Sequence, residues 1–320
     1  YVGLKFDEQF IEGIDLFQNM TVREAKIASL MAYTKDLEKG TLLFTQGEIG
    51  DEMYVVLSGS ISIFLDKNEK RTDLVRLKKG NTFGEMGLFR KAERSANAEA
   101  SEKTRLLVVN RDCLEPLKKR NPKIAAKLFL NLAHRLQSSL KETDERLLKQ
   151  KEFDLTSLEA KLNANENLEQ TEISIEPADF WEKLGKKWRR IIMSYCESHS
   201  IMSGKKITKF NAKIGDYLFI TSGEVEIESK VSAKSDTFSV GYCWTRKDFD
   251  LIGEFSLCTG NVDSAAQAIA RKDSTLMQIT KTDLLSLTQE EPRISVQFIE
   301  NLVCILSDQL AIANKRVQDQ

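Results

Sequence analysis

FGEMGLFRKAERSANAEA, residues 83–100, sets a glycine beside a carboxylate at Gly84-Glu85 and, nine residues after the carboxylate, an arginine followed by two small residues, Arg94-Ser95-Ala96. The line returns 169 residues later as IGEFSLCTGNVDSAAQAIA, residues 252–270, where Gly253-Glu254 are kept and Asp263-Ser264-Ala265 replace the arginine triplet. Glycine permits close backbone approach and frees amide N–H groups at a helix start to meet an anion. A glutamate accepts hydrogen bonds from a hydroxyl, and an arginine fork donates to phosphate oxygens. Taken alone, the same residues suit a surface turn with a salt-bridged arginine, so the flanking sequence has to decide.

That sequence is duplicated as well. IGDEMYVVLSGSISIF (49–64) matches IGDYLFITSGEVEI (214–227), one residue shorter in the second copy. Apolar and polar residues alternate on both sides of a Ser-Gly, which predicts two short strands joined or bent at Gly59 and at Gly223. Gly40, Gly47 and Gly80 punctuate further short strands, and such a density of strands and turns predicts a compact antiparallel barrel or roll in each half.

Downstream the period changes from two to about 3.6. Asn121-Pro122 and Glu291-Pro292 put a proline in the first turn of a helix, where its missing N–H is not needed. Phe129, Ala133, Leu136, Leu140, Thr143 and Leu147 recur at 4-3-4-3-4 spacing, as do Ile299, Val303, Leu306, Leu310, Ala313 and Val317, at a constant offset of 170. Such a stripe is what a helix needs to pair with another through a and d positions. It persists into KETDERLLKQKE (141–152), where a lone surface helix would turn polar all round. The pairing can be between two chains or between the two halves of one, and the alternative is that each helix packs on its own roll. LFQNMTVREAKIASLMAY (16–33), with Thr21 as N-cap, and DFWEKLGKKWRRIIMSYCESH (179–199) read as the leading helices of the two halves. The 142–169 stretch has no proline or glycine, and Leu155, Leu158 and Leu162 extend the helical pattern.

A chain of 320 residues exceeds one core and suggests two domains of about 150 residues each. With 41% apolar and 30% charged residues it reads as globular and soluble. Without an uninterrupted apolar run of about 18 residues or a signal-peptide pattern, no membrane partner and a cytoplasmic location are expected. The net charge of -1 gives no reason to expect nucleic acid, the basic run Lys186-Lys187-Trp188-Arg189-Arg190 excepted. Five dispersed cysteines, no CxxC and two histidines do not make a metal site. No nucleophile–base pairing or triphosphate loop points to an enzyme.

With these flanks, FGEMGLFRKAERSANAEA resembles the phosphate-binding cassette of the cyclic nucleotide-binding domain family. The resemblance covers about residues 14–150 and 178–320. It implies a fold that is α+β, mainly β: two antiparallel β-rolls, jelly-roll-like barrels, each flanked by helices and joined by a long helix and a linker. The domains are then a lead-in at 1–13, a first domain at 14–150, a helical and polar linker at 151–177, and a degenerate second domain at 178–320. The resemblance further implies that Arg94 pairs with a cyclic phosphate and Glu85 accepts the ribose 2'-hydroxyl. The amides of Gly84, Glu85 and Ala96 and the Ser95 hydroxyl complete the cradle. Leu77, Phe83, Met86 and Leu88 wall the pocket, and Ser139 reaches the base from the pairing helix. The ligand is cyclic AMP in preference to cyclic GMP, since the family's cyclic GMP binders often carry threonine after the arginine and Ser95 stands here; no other cofactor is implied.

In the second copy Gly253, Glu254, Asp263, Ser264 and Ala265 form a degenerate site, because Asp263 would repel a phosphate that Arg94 attracts. The expected protein is a sensor whose first domain binds and whose second serves dimerisation or partner contact, as a homodimer through helices around 129–147 and 299–317 with a protein effector. The alternatives are a scaffold with vestigial sites, or a regulator acting on DNA or a kinase through parts outside this chain.

Overall fold

The computed structural model describes residues 13–30, 32–67, 70–89, 92–153, 184–207, 217–229, 231–232, 237–238, 243–247, 251–252 and 266–318. The chain divides by its internal contacts into two units, Tyr1–Leu136 with Thr288–Ala311 and Gln137–Leu287 with Ile312–Gln320.

In the first unit, α1 (Val22–Ser29) starts at Thr21, whose hydroxyl accepts from the Glu24 amide while the Glu24 carboxylate accepts from the Thr21 amide. This reciprocal pair meets two of the amides that a helix start leaves without partners. The expected helix over 16–33 is shorter than its pattern, because Ala32 and Tyr33 pair with Val109 and Val108 in a sheet instead. The strands that follow are β1 (Ala32–Leu37), β2 (Leu42–Phe44), β3 (Ile49–Gly50), β4 (Glu52–Ser58), β5 (Ser60–Lys67), β6 (Lys70–Lys78) and β7 (Thr82–Phe83). The short helix α2 (Glu85–Phe89) leads into β8 (Ala92–Glu93), β9 (Asn97–Ala100) and β10 (Thr104–Asn110).

Two four-stranded antiparallel sheets, β1-β10-β4-β7 and β2-β9-β5-β6, enclose the core, with β3 and β8 as a separate pair. The chain crosses from one sheet to the other at Gly59. There φ is +81°, and a Cβ would run into Lys103 O and the Thr104 backbone. A bend that sharp, in left-handed backbone against a neighbouring strand, requires glycine. Leu37, Phe44, Tyr54, Val56, Ile61, Leu77, Phe83, Ala98, Ala100, Leu106 and Val108 fill the interior.

After β10, α3 (Leu114–Arg120) ends at Asn121 and α4 (Pro122–Phe153) runs for 32 residues. Phe129, Ala133, Leu136, Leu140 and Thr143 of its predicted stripe are all buried. Lys127 of α4 donates to both oxygens of Glu24 at 2.8 and 2.9 Å. Burial pushes the Glu24 carboxyl up, but the bonds from Lys127 and Thr21 outweigh it and hold the group below its ordinary 4.5. With the folded value lowered, the contribution of this pair is complete above pH 4.5 and fades as pH falls through the folded value. The stability difference between the native protein and Lys127→Met, followed by urea unfolding, is therefore expected to shrink on acidification below about pH 4.5. A difference constant down to about pH 3 would contradict it.

The other described strands are β11 (Glu197–Ile201), β12 (Tyr217–Ser222), β13 (Glu224–Ser229), β14 (Val231–Ser232), β15 (Thr237–Phe238), β16 (Cys243–Lys247), β17 (Leu251–Ile252), β18 (Ala266–Ala270) and β19 (Ser274–Ile279), preceded by α5 (Lys186–Met193). They pair as β11-β19-β12-β17, β16-β13-β18 and β14-β15, again antiparallel. Gly223, φ +104°, separates β12 from β13 as Gly59 separates β4 from β5. Helices α6 (Lys281–Glu290) and α7 (Pro292–Gln318) end the chain. The leading helix expected at 179–199 is described only as α5, and Glu197 already belongs to a strand. Leu155, Leu158 and Leu162 lie outside the described residues.

The architecture is mixed rather than mainly β, since α4 and α7 alone take 32 and 27 residues. The sheets are rolls, not barrels. Among the described residues each has two free edges, because the switch of sheet at Gly59 and Gly223 divides strands that a barrel would keep in one circuit. No described helix is long and apolar enough to cross a membrane.

Candidate functional site

The cassette is built at the seam between two short strands and a single helical turn. β7 ends at Phe83 and Gly84 turns the chain at φ +75° into α2, whose first residue is Glu85. β8 then carries the chain back to Arg94, whose amide donates to Glu48 O at 2.8 Å and whose carbonyl accepts from the Gly47 amide at 2.9 Å. The backbone at Arg94 is thus held before its side chain makes any contact.

The Arg94 side chain turns inward and is 7% exposed. Its Nη1 donates to Gly84 O at 3.0 Å and its Nη2 to Glu52 O at 2.9 Å. The guanidinium carbon sits 4.4 Å from the Phe44 ring centroid and 5.6 Å from that of Tyr54. Gly50 makes room for it, since a Cβ there would overlap the guanidinium, and a Cβ on Gly84 would stand 2.7 Å from Nη1. The Nε–H is buried without a hydrogen-bond partner. A guanidinium has five N–H donors, and a buried donor on a charged group is costly to leave unmade. The two carbonyls fix the orientation of the cation, and the unpartnered edge remains for an acceptor.

Glu52 is itself held from its side chain. The Tyr33 and Tyr54 hydroxyls donate to its two carboxylate oxygens at 2.7 and 2.9 Å. Burial, then the bond to Glu52, pushes the Tyr33 hydroxyl up to about 12, and Tyr54 is raised as well, so both keep their protons. The Tyr54 ring stacks on Phe83 at 5.2 Å and on Phe44 at 5.9 Å. Leu77 and Phe83 lie in the same interior cluster.

The Glu85 carboxyl is buried, and burial raises it above its ordinary 4.5, opposed by Arg135, by a bond from its own amide and by Arg94. Two arginines thus favour its charged form where desolvation alone would neutralise it. Arg135, on α4, was not among the expected site residues. Its only signal in the sequence is a cation set directly before Leu136 of the apolar stripe. Its Nε too is buried without a partner.

Gly84, Glu85, Arg94, Ala96, Leu77 and Phe83 all lie in the first unit, where Arg94 meets Gly84 O and acts on Glu85, and Leu77 and Phe83 share the interior cluster; Ala96 is buried, and Met86 and Ser95 are half-buried. Leu88 is buried. Ser139 belongs to the second unit, where its carbonyl accepts from the Thr143 hydroxyl at 2.9 Å. Gly253, Glu254, Asp263, Ser264 and Ala265 lie outside the described residues. The nearby cations Arg271 and Lys272 are engaged by Glu226 and Glu224.

Residues 34–121, all within the first unit, match the model of the cyclic nucleotide-binding domain family. The cyclic AMP receptor protein of Thermus thermophilus is 35% identical over 136 residues, 42% of this chain and 62% of that one. A cAMP-dependent protein kinase regulatory subunit of Candida albicans is 31% identical over 94 residues, 29% of this chain and 20% of its own. A cGMP-dependent protein kinase of Toxoplasma gondii is 27% identical over 109 residues, 34% and 11%. The crystal structure of the Thermus thermophilus catabolite activator protein matches at 27% identity with a TM-score of 0.33, covering 41% of this chain and 71% of that one. The chain spans less than two thirds of the length of these curated relatives.

Proposed function

We propose that this protein is a cyclic nucleotide sensor whose ligand, cyclic AMP in preference to cyclic GMP, binds in the first copy of the repeat. The observation that carries this reading is Arg94: a buried cation oriented by two carbonyls, with an N–H edge left for an anion. In this reading Arg94 pairs with the cyclic phosphate and Glu85 takes the ribose 2'-hydroxyl. The Gly84, Glu85 and Ala96 amides and the Ser95 hydroxyl surround the phosphate. Leu77, Phe83 and Met86 wall the base. The domain at 178–320 is a degenerate second copy that binds no cyclic nucleotide, because Asp263 stands where an arginine is needed. The protein acts in the cytoplasm, transforms no substrate, and passes its signal through the helices to a protein effector.

Calorimetric titration of the whole chain tests this directly. Heat is expected with cyclic AMP, weaker binding with cyclic GMP, and none with linear 5'-AMP, whose phosphate carries a different shape and charge. No heat with either cyclic nucleotide would reject the sensor reading, and equal binding of linear 5'-AMP would reject recognition of the cyclic phosphate.

A further inference from the structure

Each copy of the repeat carries an apolar helical stripe that needs a cover, and a stripe at 4-3 spacing is suited to another helix. In the first unit the cover is internal to the chain. Thr288–Ala311 groups with Tyr1–Leu136, so the first part of α7 belongs with the copy that carries Arg94. On α7, Ile299, Val303, Leu306 and Leu310 are buried, as are Phe129, Ala133 and Leu136 on α4.

Polar contacts mark the same arrangement. Lys118 of α3 donates to both oxygens of Glu300 on α7 at 2.8 and 2.9 Å, with the two side chains only 15% and 20% exposed. Glu115 contacts the same ammonium. Burial opposes the charge on Lys118, and the bonds from Glu115 and Glu300 outweigh it, so its pKa is raised. Where both helices continue into the second unit, Thr143 Oγ1 meets Asn314 Oδ1 at 3.4 Å, one position from the residue that the repeat offset of 170 pairs with Thr143.

We propose that α7 is a built-in partner: it closes the helical seam of the ligand-binding copy within one polypeptide, takes the place that a second chain would occupy, and receives whatever movement that copy transmits. A stripe already buried within the chain is not available to a second copy. A tethered partner also acts at an effective concentration on the order of millimolar, which a free chain at micromolar concentration does not match. This replaces the expected homodimer through helices around 129–147 and 299–317 with a contact inside one chain, and it stands whether or not a nucleotide binds.

The native protein can be treated with a zero-length carbodiimide, which joins a lysine to a carboxylate only where they already touch. Monomer and dimer bands are then separated on a denaturing gel and their peptides sequenced by mass spectrometry. The Lys118–Glu300 amide is expected in the monomer band. Lys127–Glu24, an ion pair of the same length and similar exposure, supplies the internal control. A Lys118–Glu300 link confined to the dimer band would overturn the proposal, as would its absence when Lys127–Glu24 is linked.

Discussion

Arg94→Ala is expected to weaken cyclic AMP binding by about one to two orders of magnitude, since a hydrogen bond to a charged group contributes roughly 1.5–3 kcal/mol and each 1.4 kcal/mol is tenfold. The loss has two physical parts. The phosphate no longer meets a cation whose edge is already aimed by Gly84 O and Glu52 O. The Glu52 carbonyl also loses a donor, while Gly84 O keeps the Gly87 amide at 3.2 Å. Arg94→Lys is expected to recover little, because a single ammonium cannot hold the two carbonyls and present a second planar edge at once. The measurement is the dissociation constant by calorimetry, with the folded state checked by circular dichroism. Binding unchanged in a folded Arg94→Ala protein would show that the ligand does not use this residue.

Phe129→Ala should have the largest effect on stability. Phe129 is fully buried on α4 and meets Phe89, the last residue of the cassette helix α2, edge-on at 5.0 Å and 87°. Truncating a buried phenylalanine removes its transfer free energy and leaves a cavity, together about 3–5 kcal/mol. Here it also removes the aromatic contact between the cassette and the long helix. The urea midpoint of the transition that includes the first unit is expected to fall by that equivalent with its slope unchanged. A loss below about 1 kcal/mol would mean that α4 does not pack on α2 as described.

The cassette was legible because its chemistry is local. Gly84, Glu85 and Arg94 fall within one stretch of eleven residues, and the left-handed turn at Gly84 delivers the chain into α2 without help from distant segments. The strand bends at Gly59 and Gly223 and the helix starts at Pro122 and Pro292 were readable for the same reason: glycine and proline restrict their own dihedrals wherever they stand. The supports of the site were not legible. Glu52 acts on Arg94 through its backbone carbonyl, which every residue possesses, and Tyr33 reaches Glu52 from a strand 19 residues earlier. Arg135 faces Glu85 only because α4 packs beside the cassette.

The sequence by itself determined that one line of residues recurs at an offset of 169, that short strands give way to long helices, and that Arg94 and Asp263 differ in charge, since each follows from residue identity and spacing. The tertiary structure alone decided that the sheets stay open, that a strand claims Ala32 and Tyr33 from a helix, and that α7 shares a unit with the first copy. Those outcomes depend on which surfaces meet. An apolar stripe states that it must be covered, and its own residues cannot say by what.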